Sequence, residues 1–169
     1  HQDLPVIVLE SGEALKNPTL QTLGEKLGLQ PKASQQLYAL AIIGAGPAGL
    51  AAAVYGGSEG LKTILIDKRA PGGQAGTSSR IENYLGFPSG LSGAELARRA
   101  ITQATRFNVE FLAPQEVVAI RSQGQYKHIE LADGGEVVAR SILLCTGVSY
   151  HKLDNPSLDR FTGAGVYYG

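Results

Sequence analysis

Three glycines spaced Gly44-x-Gly46-x-x-Gly49, between an apolar run and an Ala-rich run, form a pattern that can cradle a phosphate group. Gly44 permits a tight turn, and Gly46 lets a phosphate approach the main chain with no Cβ in its way. The N-terminus of the helix that follows offers free N–H groups and a partial positive charge. Asp67 closes the next apolar run, near the ~20-residue offset at which a strand-end carboxylate accepts hydrogen bonds from two ribose hydroxyls. Pro47 and Ala48 inside the glycine loop, and Lys68 beside the acid, join the candidate cofactor-binding set. An acid at the strand end argues against a 2′-phosphate at Lys68-Arg69, which reads as a solvated rim. The spacing points to a dinucleotide and leaves NAD, NADP and FAD open.

The elements that must position these residues follow from periodicity and punctuation. Tyr38-Ala39-Leu40-Ala41-Ile42-Ile43 reads as a buried strand, and Ala48 to Tyr55 as a buried helix with the small Ala53 one turn after Gly49. Leu37 to Gly57 carries no charge and is long enough to suggest a membrane span, but its glycines and Pro47 cut it into that strand and that helix. Thr63 to Ile66 is a second strand, 70–93 a Gly/Ser-rich loop, and about 93–107 a helix. Short strands at 109–112, 116–121, 126–131 and 136–138 precede a last strand at Ser141 to Leu144. The expected fold is α/β and Rossmann-like: a sheet parallel at its centre, an antiparallel β-meander inserted before the last strand, and the C-terminal end incomplete.

Upstream lies a separate unit, residues 1–30. Pro5 to Leu9 reads as a strand, Ser11-Gly12 as a turn and Ala14-Leu15-Lys16 as a returning strand. Asn17 caps a helix begun by Pro18, with Leu20, Leu23 and Leu27 on one face and Gly28 as its stop. The polar stretch Gln30 to Gln36 reads as a linker, assigned to 31–36, and 37–169 as the dinucleotide-binding part.

The composition narrows the function. Fifteen Lys+Arg balance fifteen Asp+Glu over 169 residues, which removes the electrostatic case for nucleic acid or an anionic membrane as partner. Twenty-two glycines are near twice the usual usage, so close backbone approach is needed repeatedly. Cys145 alone makes neither a disulfide nor a cysteine metal cage, which fits a reducing, cytoplasmic location. The chain has no Met, begins with His1 and carries no secretory signal, so a cut at the N-terminus is expected.

The segment Ala70 to Pro88 separates FAD from NAD. A long Gly/Ser/Thr loop here suits an extended ligand better than a prompt return to helix and strand. Gly-Ala-Gly-Pro-Ala-Gly at 44–49, Gly-Gly-Gln at 72–74, Ile-Glu-Asn-Tyr at 81–84 and Cys-Thr-Gly at 145–147 then occur in an order and spacing that resemble the FAD domain of the thioredoxin reductase family. That family belongs to the FAD-dependent pyridine nucleotide-disulfide oxidoreductases, and the resemblance covers about 37–169. It implies that Gly44, Gly46 and Gly49 meet the FAD pyrophosphate and Asp67 the adenosine ribose. Gly73 and Gln74 would lie along the ribityl-flavin side and Asn83 near the flavin. Val117 would meet adenine through its backbone, and Thr146 and Gly147 would close over the cofactor. Gln74 and Asn83 also read as caps of loop backbone, and Val117 as a core residue.

Cys145 stands where the family usually has Ala, and reads as a small buried strand-end residue. His128 and His151 read as surface residues, and no side chain here is assigned a catalytic role. The order around Pro5 resembles the C-terminal half of a thioredoxin fold, whose proline is cis and faces a dithiol. An unrelated scrap or linker is the other reading of 1–30. Aligning Gly165-Val166-Tyr167-Tyr168 with the family puts Gly169 where the first cysteine of a Cys-x-x-Cys would stand. The chain is therefore expected to be part of a flavoprotein, with the NAD(P)H domain outside it. The resemblance implies an oxidoreductase passing hydride from NAD(P)H to FAD and on to an acceptor, with a disulfide or a thioredoxin-like domain as candidate acceptor, and a homodimer. A non-catalytic flavin-binding module and a simple NAD-binding protein are the alternatives.

Overall fold

The computed structural model describes residues 5–9, 11–19, 22, 23, 26, 33–149, 155–161 and 164–166. β1 (Val6–Val8) and β2 (Ala14–Lys16) form an antiparallel hairpin, closed at Gly12, whose N–H donates to the Leu9 carbonyl at 2.8 Å. The helix expected after it begins later than Asn17. The Asn17 N–H still closes the hairpin on the Pro5 carbonyl, with φ at 43°, and the Thr19 hydroxyl caps the turn by accepting from the Thr22 N–H at 3.1 Å. Leu20, Leu27, Gly28 and the Leu4–Pro5 peptide lie outside the described residues, as do Gln30, Pro31, Lys32, His151 and 167–169.

The other strands form one six-stranded sheet. In chain order the elements are β3 (Tyr38–Ile43), α1 (Pro47–Ser58), β4 (Thr63–Ile66), a 3-10 turn (Gln74–Thr77), α2 (Gly93–Arg106), β5 (Glu110–Leu112), β6 (Val117–Gln123), β7 (Tyr126–Leu131), β8 (Glu136–Leu144) and the short α3 (Pro156–Asp159). The sheet order is β5-β4-β3-β8-β7-β6, parallel among the first four strands and antiparallel thereafter.

Strand alternation explains the two cores. Ala41 and Ile43 of β3 and Ile64 and Ile66 of β4 join Ile129, Leu131, Val137 and Ala139, so the meander covers that face. Ile42 and Leu65 face the other way, onto Leu50 and Ala53 of α1 and Ala104 of α2. Both faces of β3 and β4 are covered, which is why these strands are apolar throughout.

Several element boundaries shift by a residue or two from the sequence reading, and two differences have a structural cause. The strands expected at 136–138 and 141–144 are one strand, β8. Ala139 pairs with Lys127 on one side and Tyr38 on the other, so β3 takes over the pairing where β7 leaves off and exposed Arg140 does not break it. α1 runs past Tyr55 to Ser58. A Cβ at Gly56 would stand 2.9 Å from the Thr63 hydroxyl, and one at Gly57 2.7 Å from the Phe107 Cβ. Gly56 serves contact with β4 and Gly57 contact with the end of α2, and neither ends the helix.

α2 carries a Ser-x-x-Glu N-terminus, with the Ser92 hydroxyl accepting from the Glu95 N–H at 3.2 Å. At the amino end of the sheet, Ser34 is held against Glu110: its N–H donates at 2.7 Å and its hydroxyl at 2.6 Å. The Tyr38 hydroxyl donates to the same carboxylate at 2.7 Å, and burial, helped by that carboxylate, raises the phenol pKa. The described end of the expected linker is thus strapped to β5. No helix among the described residues is long and apolar enough to cross a membrane, and no His/Cys/Asp/Glu group among them could hold a metal ion.

Candidate functional site

The chain proceeds from β3 to β4 and β5 on one side and places β8 on the other, so the sheet order reverses between β3 and β8. Ligands of open α/β sheets bind at the carboxyl ends of strands at such a switch point. Gly44, after β3, and Cys145-Thr146-Gly147, after β8, meet there. Gly44 has φ of 105°, and a Cβ on it would lie 2.2 Å from the Cys145 carbonyl oxygen. A Cβ on Gly49 would lie 1.8 Å from the Gly44 carbonyl oxygen, so α1 seats directly on the turn.

Gly46 is different. Its φ of −74° suits any residue, and a Cβ there would meet nothing within 4 Å. The chain's own packing therefore does not require glycine at 46; the space beside it is open. Gly46 is also the N-cap of α1, without a capping side chain, followed by Pro47 and no acidic residue in the first turn. The N–H groups of Gly46, Ala48 and Gly49 have no acceptor among the described residues. Uncapped donors at the positive end of a twelve-residue helix, beside open space, suit a phosphate.

Asp67 stands one residue past β4 and is tied on four sides. Its carboxylate accepts from the Ala45 N–H at 2.6 Å and the Arg69 N–H at 2.8 Å. Its own N–H donates to the Leu112 carbonyl at 3.2 Å, and its carbonyl accepts from the Gln115 N–H at 2.8 Å. Each carboxylate oxygen keeps lone pairs for further donors. Lys68 is exposed, with its ammonium 3.9 Å from Glu116.

The turn holding Gly73 and Gln74 comes close to the glycine loop. The Gly72 N–H donates to the Ala45 carbonyl at 2.8 Å, and a Cβ on Gly73 would lie 2.9 Å from the Gly46 Cα. The Gln74 amide donates to the Val148 carbonyl at 2.7 Å, tying this turn to the loop after β8. Gln74 thus caps loop backbone, one of its two expected roles. Thr146 and Gly147 lie exposed in that loop.

Asn83 and Val117 are less closely joined to the cluster. Asn83 is exposed in the long loop and makes no side-chain hydrogen bond among the described residues, so it is not a loop cap. Val117 opens β6 with its side chain packed partly on the core, as its second reading has it. Cys145 is half-buried, and burial pushes its thiol pKa up, away from a reactive thiolate. His128 is not a free surface residue: it is half-buried in β7, with Nδ1 3.1 Å from Glu136.

Sequence reasoning reached only Lys68 and Arg69 of the wall beside Asp67 and missed the rest. An open cleft of about 540 Å³ is lined by Lys68, Arg69, Gln115, Glu116 and Asp133, among others. These residues lie on three separate segments and belong to no motif; the Pro-Gln-Glu step after β5 was the only available signal. Together the groups offer phosphate donors at Gly46, ribose acceptors at Asp67 and a cleft beyond them, arranged for an extended dinucleotide.

Residues 38–168 match the pyridine nucleotide-disulphide oxidoreductase family. A thioredoxin reductase of Ureaplasma parvum is 36% identical over 135 residues, covering 80% of this chain and 43% of that protein. A bifunctional thioredoxin reductase/thioredoxin of Mycobacterium leprae is 33% identical over 136 residues, covering 80% of this chain and 30% of that protein. The crystal structure of thioredoxin reductase from Streptococcus pyogenes superposes with a TM-score of 0.69 at 36% identity, over 78% of this chain and 42% of that one. The chain thus spans less than half the length of these relatives.

Proposed function

The chain belongs to the pyridine nucleotide-disulphide oxidoreductase family, and on that premise we propose that it forms the FAD-binding part of a thioredoxin-reductase-like flavoprotein. The observation that carries this reading is the open space at Gly46, where the fold itself has no use for a glycine. The residues fit the cofactor. The N–H groups of Gly46, Ala48 and Gly49 would take the pyrophosphate, and Asp67 the ribose hydroxyls. Gly73, Gln74 and the Thr146-Gly147 loop would flank the flavin-side half, with Asn83 available as a free amide. Lys68 and the backbone around Val117 would border the adenosine half. Bound there, FAD supplies hydride acceptance from NAD(P)H and two-electron delivery to an acceptor. The chain's own contribution is position and electrostatics.

The proposed acceptor is a disulfide, and a thioredoxin-like protein or domain is the partner that fits the relatives' names. Residues 1–30 are proposed as part of such a unit, 31–36 as its link and 37–169 as the flavin-binding part. Cytoplasmic location and homodimerisation belong to the same proposal.

The test is to denature the intact native protein, identify the released ligand by mass, and follow flavin bleaching after NADPH or NADH under anaerobic conditions. Released FAD with bleaching supports the reading. FAD without bleaching by either nucleotide leaves a flavin-binding module. Released NAD, or no ligand with no uptake of added FAD, refutes it.

A further inference from the structure

We propose that Gln115, through its hydrogen bond to Asp133, is a positioning residue that holds Asp67 for the ribose of a bound dinucleotide; this rests on the FAD reading above. Gln115 is one of two buried polar residues among those described, only 7% exposed, yet no motif contains it. Its side-chain amide donates to Asp133 Oδ2 at 2.6 Å. Its backbone N–H donates to the Asp67 carbonyl at 2.8 Å. The other Asp133 oxygen accepts from the Gly135 N–H at 2.9 Å, which fixes the carboxylate in the turn between β7 and β8. One residue on, the Glu116 carbonyl accepts from the Ala132 N–H at 2.8 Å. Residues 115 and 116 are therefore pinned to the β7–β8 turn on one side and to Asp67 on the other.

Asp67 has two jobs for one carboxylate. It holds the Ala45 N–H of the glycine loop, and it must present its remaining lone pairs to a ligand. A shift of its backbone misdirects both. The only described backbone bond on the Asp67 carbonyl comes from Gln115. Gln115 has the side chain that braces that segment from behind, and the cleft beside Asp67 is walled by both members of the pair. A carboxylate acceptor makes this bond stronger than a neutral one, and burial makes its loss costly.

The experiment uses the flavin-stripped intact protein and two probes, ADP and 2′-deoxy-ADP, by calorimetric titration. Gln115→Glu sets two carboxylates against each other. Adding Asp133→Asn reverses donor and acceptor and restores the bond. Gln115→Met removes the bond with little change in volume. We expect ADP to bind about tenfold more weakly to both single variants, and the double variant to recover to within about threefold of the parent. For 2′-deoxy-ADP, which lacks a hydroxyl that Asp67 would hold, the loss should be less than about threefold. Equal losses on both probes would mean Gln115 only supports the fold, and no loss on ADP would mean it positions nothing; either overturns the inference while FAD binding by the parent stands. A parent that takes up no FAD overturns the underlying reading, and the inference falls with it.

Discussion

Replacing Gly46 and Gly49 by alanine separates what the fold needs from what a ligand needs. A Cβ at 49 would sit 1.8 Å from the Gly44 carbonyl oxygen, far inside the 3.4–4 Å of ordinary contact. The carbonyl is backbone and the Cβ is fixed rigidly to its own Cα, so α1 must lift off the turn. Overpacking of this kind costs about 3 kcal/mol, the upper end of the usual range, or roughly 10 °C in Tm. At Gly46 two small terms oppose each other. Alanine is a poorer N-cap than glycine by several tenths of a kcal/mol to about 1. It also removes unfolded-chain entropy worth about 0.4–1 kcal/mol, since φ of −74° is open to it. The net change is within about 0.5 kcal/mol. The new methyl nevertheless occupies the space beside the free N–H groups. Losing one charge-assisted bond there costs about 1.5–3 kcal/mol, a weakening of roughly 10- to 150-fold. Thermal melts of the flavin-free proteins by circular dichroism and FAD titration by fluorescence quenching read the two quantities separately. Gly46→Ala should melt with the parent and bind FAD poorly; Gly49→Ala should fail in both. If Gly46→Ala held FAD within twofold of the parent, or melted as early as Gly49→Ala, the assignment of that open space to a phosphate would be wrong.

Asp67→Ala should weaken ADP binding and also lower stability by about 1.5–3 kcal/mol, because the Ala45 and Arg69 N–H groups lose a charged acceptor; paired calorimetry and chemical denaturation check both. Glu110→Ala should leave FAD affinity unchanged, since it lies at the amino end of the sheet. It should expose residues 33–37 to limited proteolysis, because Ser34 and Tyr38 lose their shared acceptor. Hydrogen bonds from Arg98 and Arg99 hold the Glu95 carboxyl down to about 2 from 4.5. A carboxyl with a depressed folded pKa stabilises fully above its unfolded value and loses that contribution as pH falls from about 4.5 to about 2. Acid unfolding of Glu95→Gln should therefore be flatter than the parent's across that window and parallel to it above pH 5.

The parts of this protein that are written locally were legible in its sequence. β3, β4, the hairpin strands and both long helices follow from periodicity and punctuation within a dozen residues. The fingerprint glycines were legible as a short spacing between a strand and a helix, although only Gly49 answers to a contact within that unit: Gly44 is crowded by Cys145 after β8, and Gly46 by nothing in the chain. Asp67 was legible because it ends a strand at a known offset from that turn. Where local reading failed, a distant partner had overridden it. The helix read as ending at Tyr55, and the reason it carries Gly56 and Gly57 shows only when Thr63 and Phe107 are brought beside them. Residues 136–138 and 141–144 read as two strands until β7 and β3 are seen to hold them as one, β8. Asn17 read as a cap until its N–H is seen closing the hairpin on Pro5.

The sequence by itself thus determined a dinucleotide-type loop, the family and the residue types at the cradle. Sheet order decided which segments stand beside one another, and periodicity carries no information about order. That is why Gln74 bonding to Val148, Glu110 gathering Ser34 and Tyr38, and Gln115 bridging Asp67 to Asp133 emerge only in the folded chain. Each joins residues far apart in sequence, and no motif names the pairing. Such bonds exist because closing the sheet has already met the entropy cost of bringing their ends together.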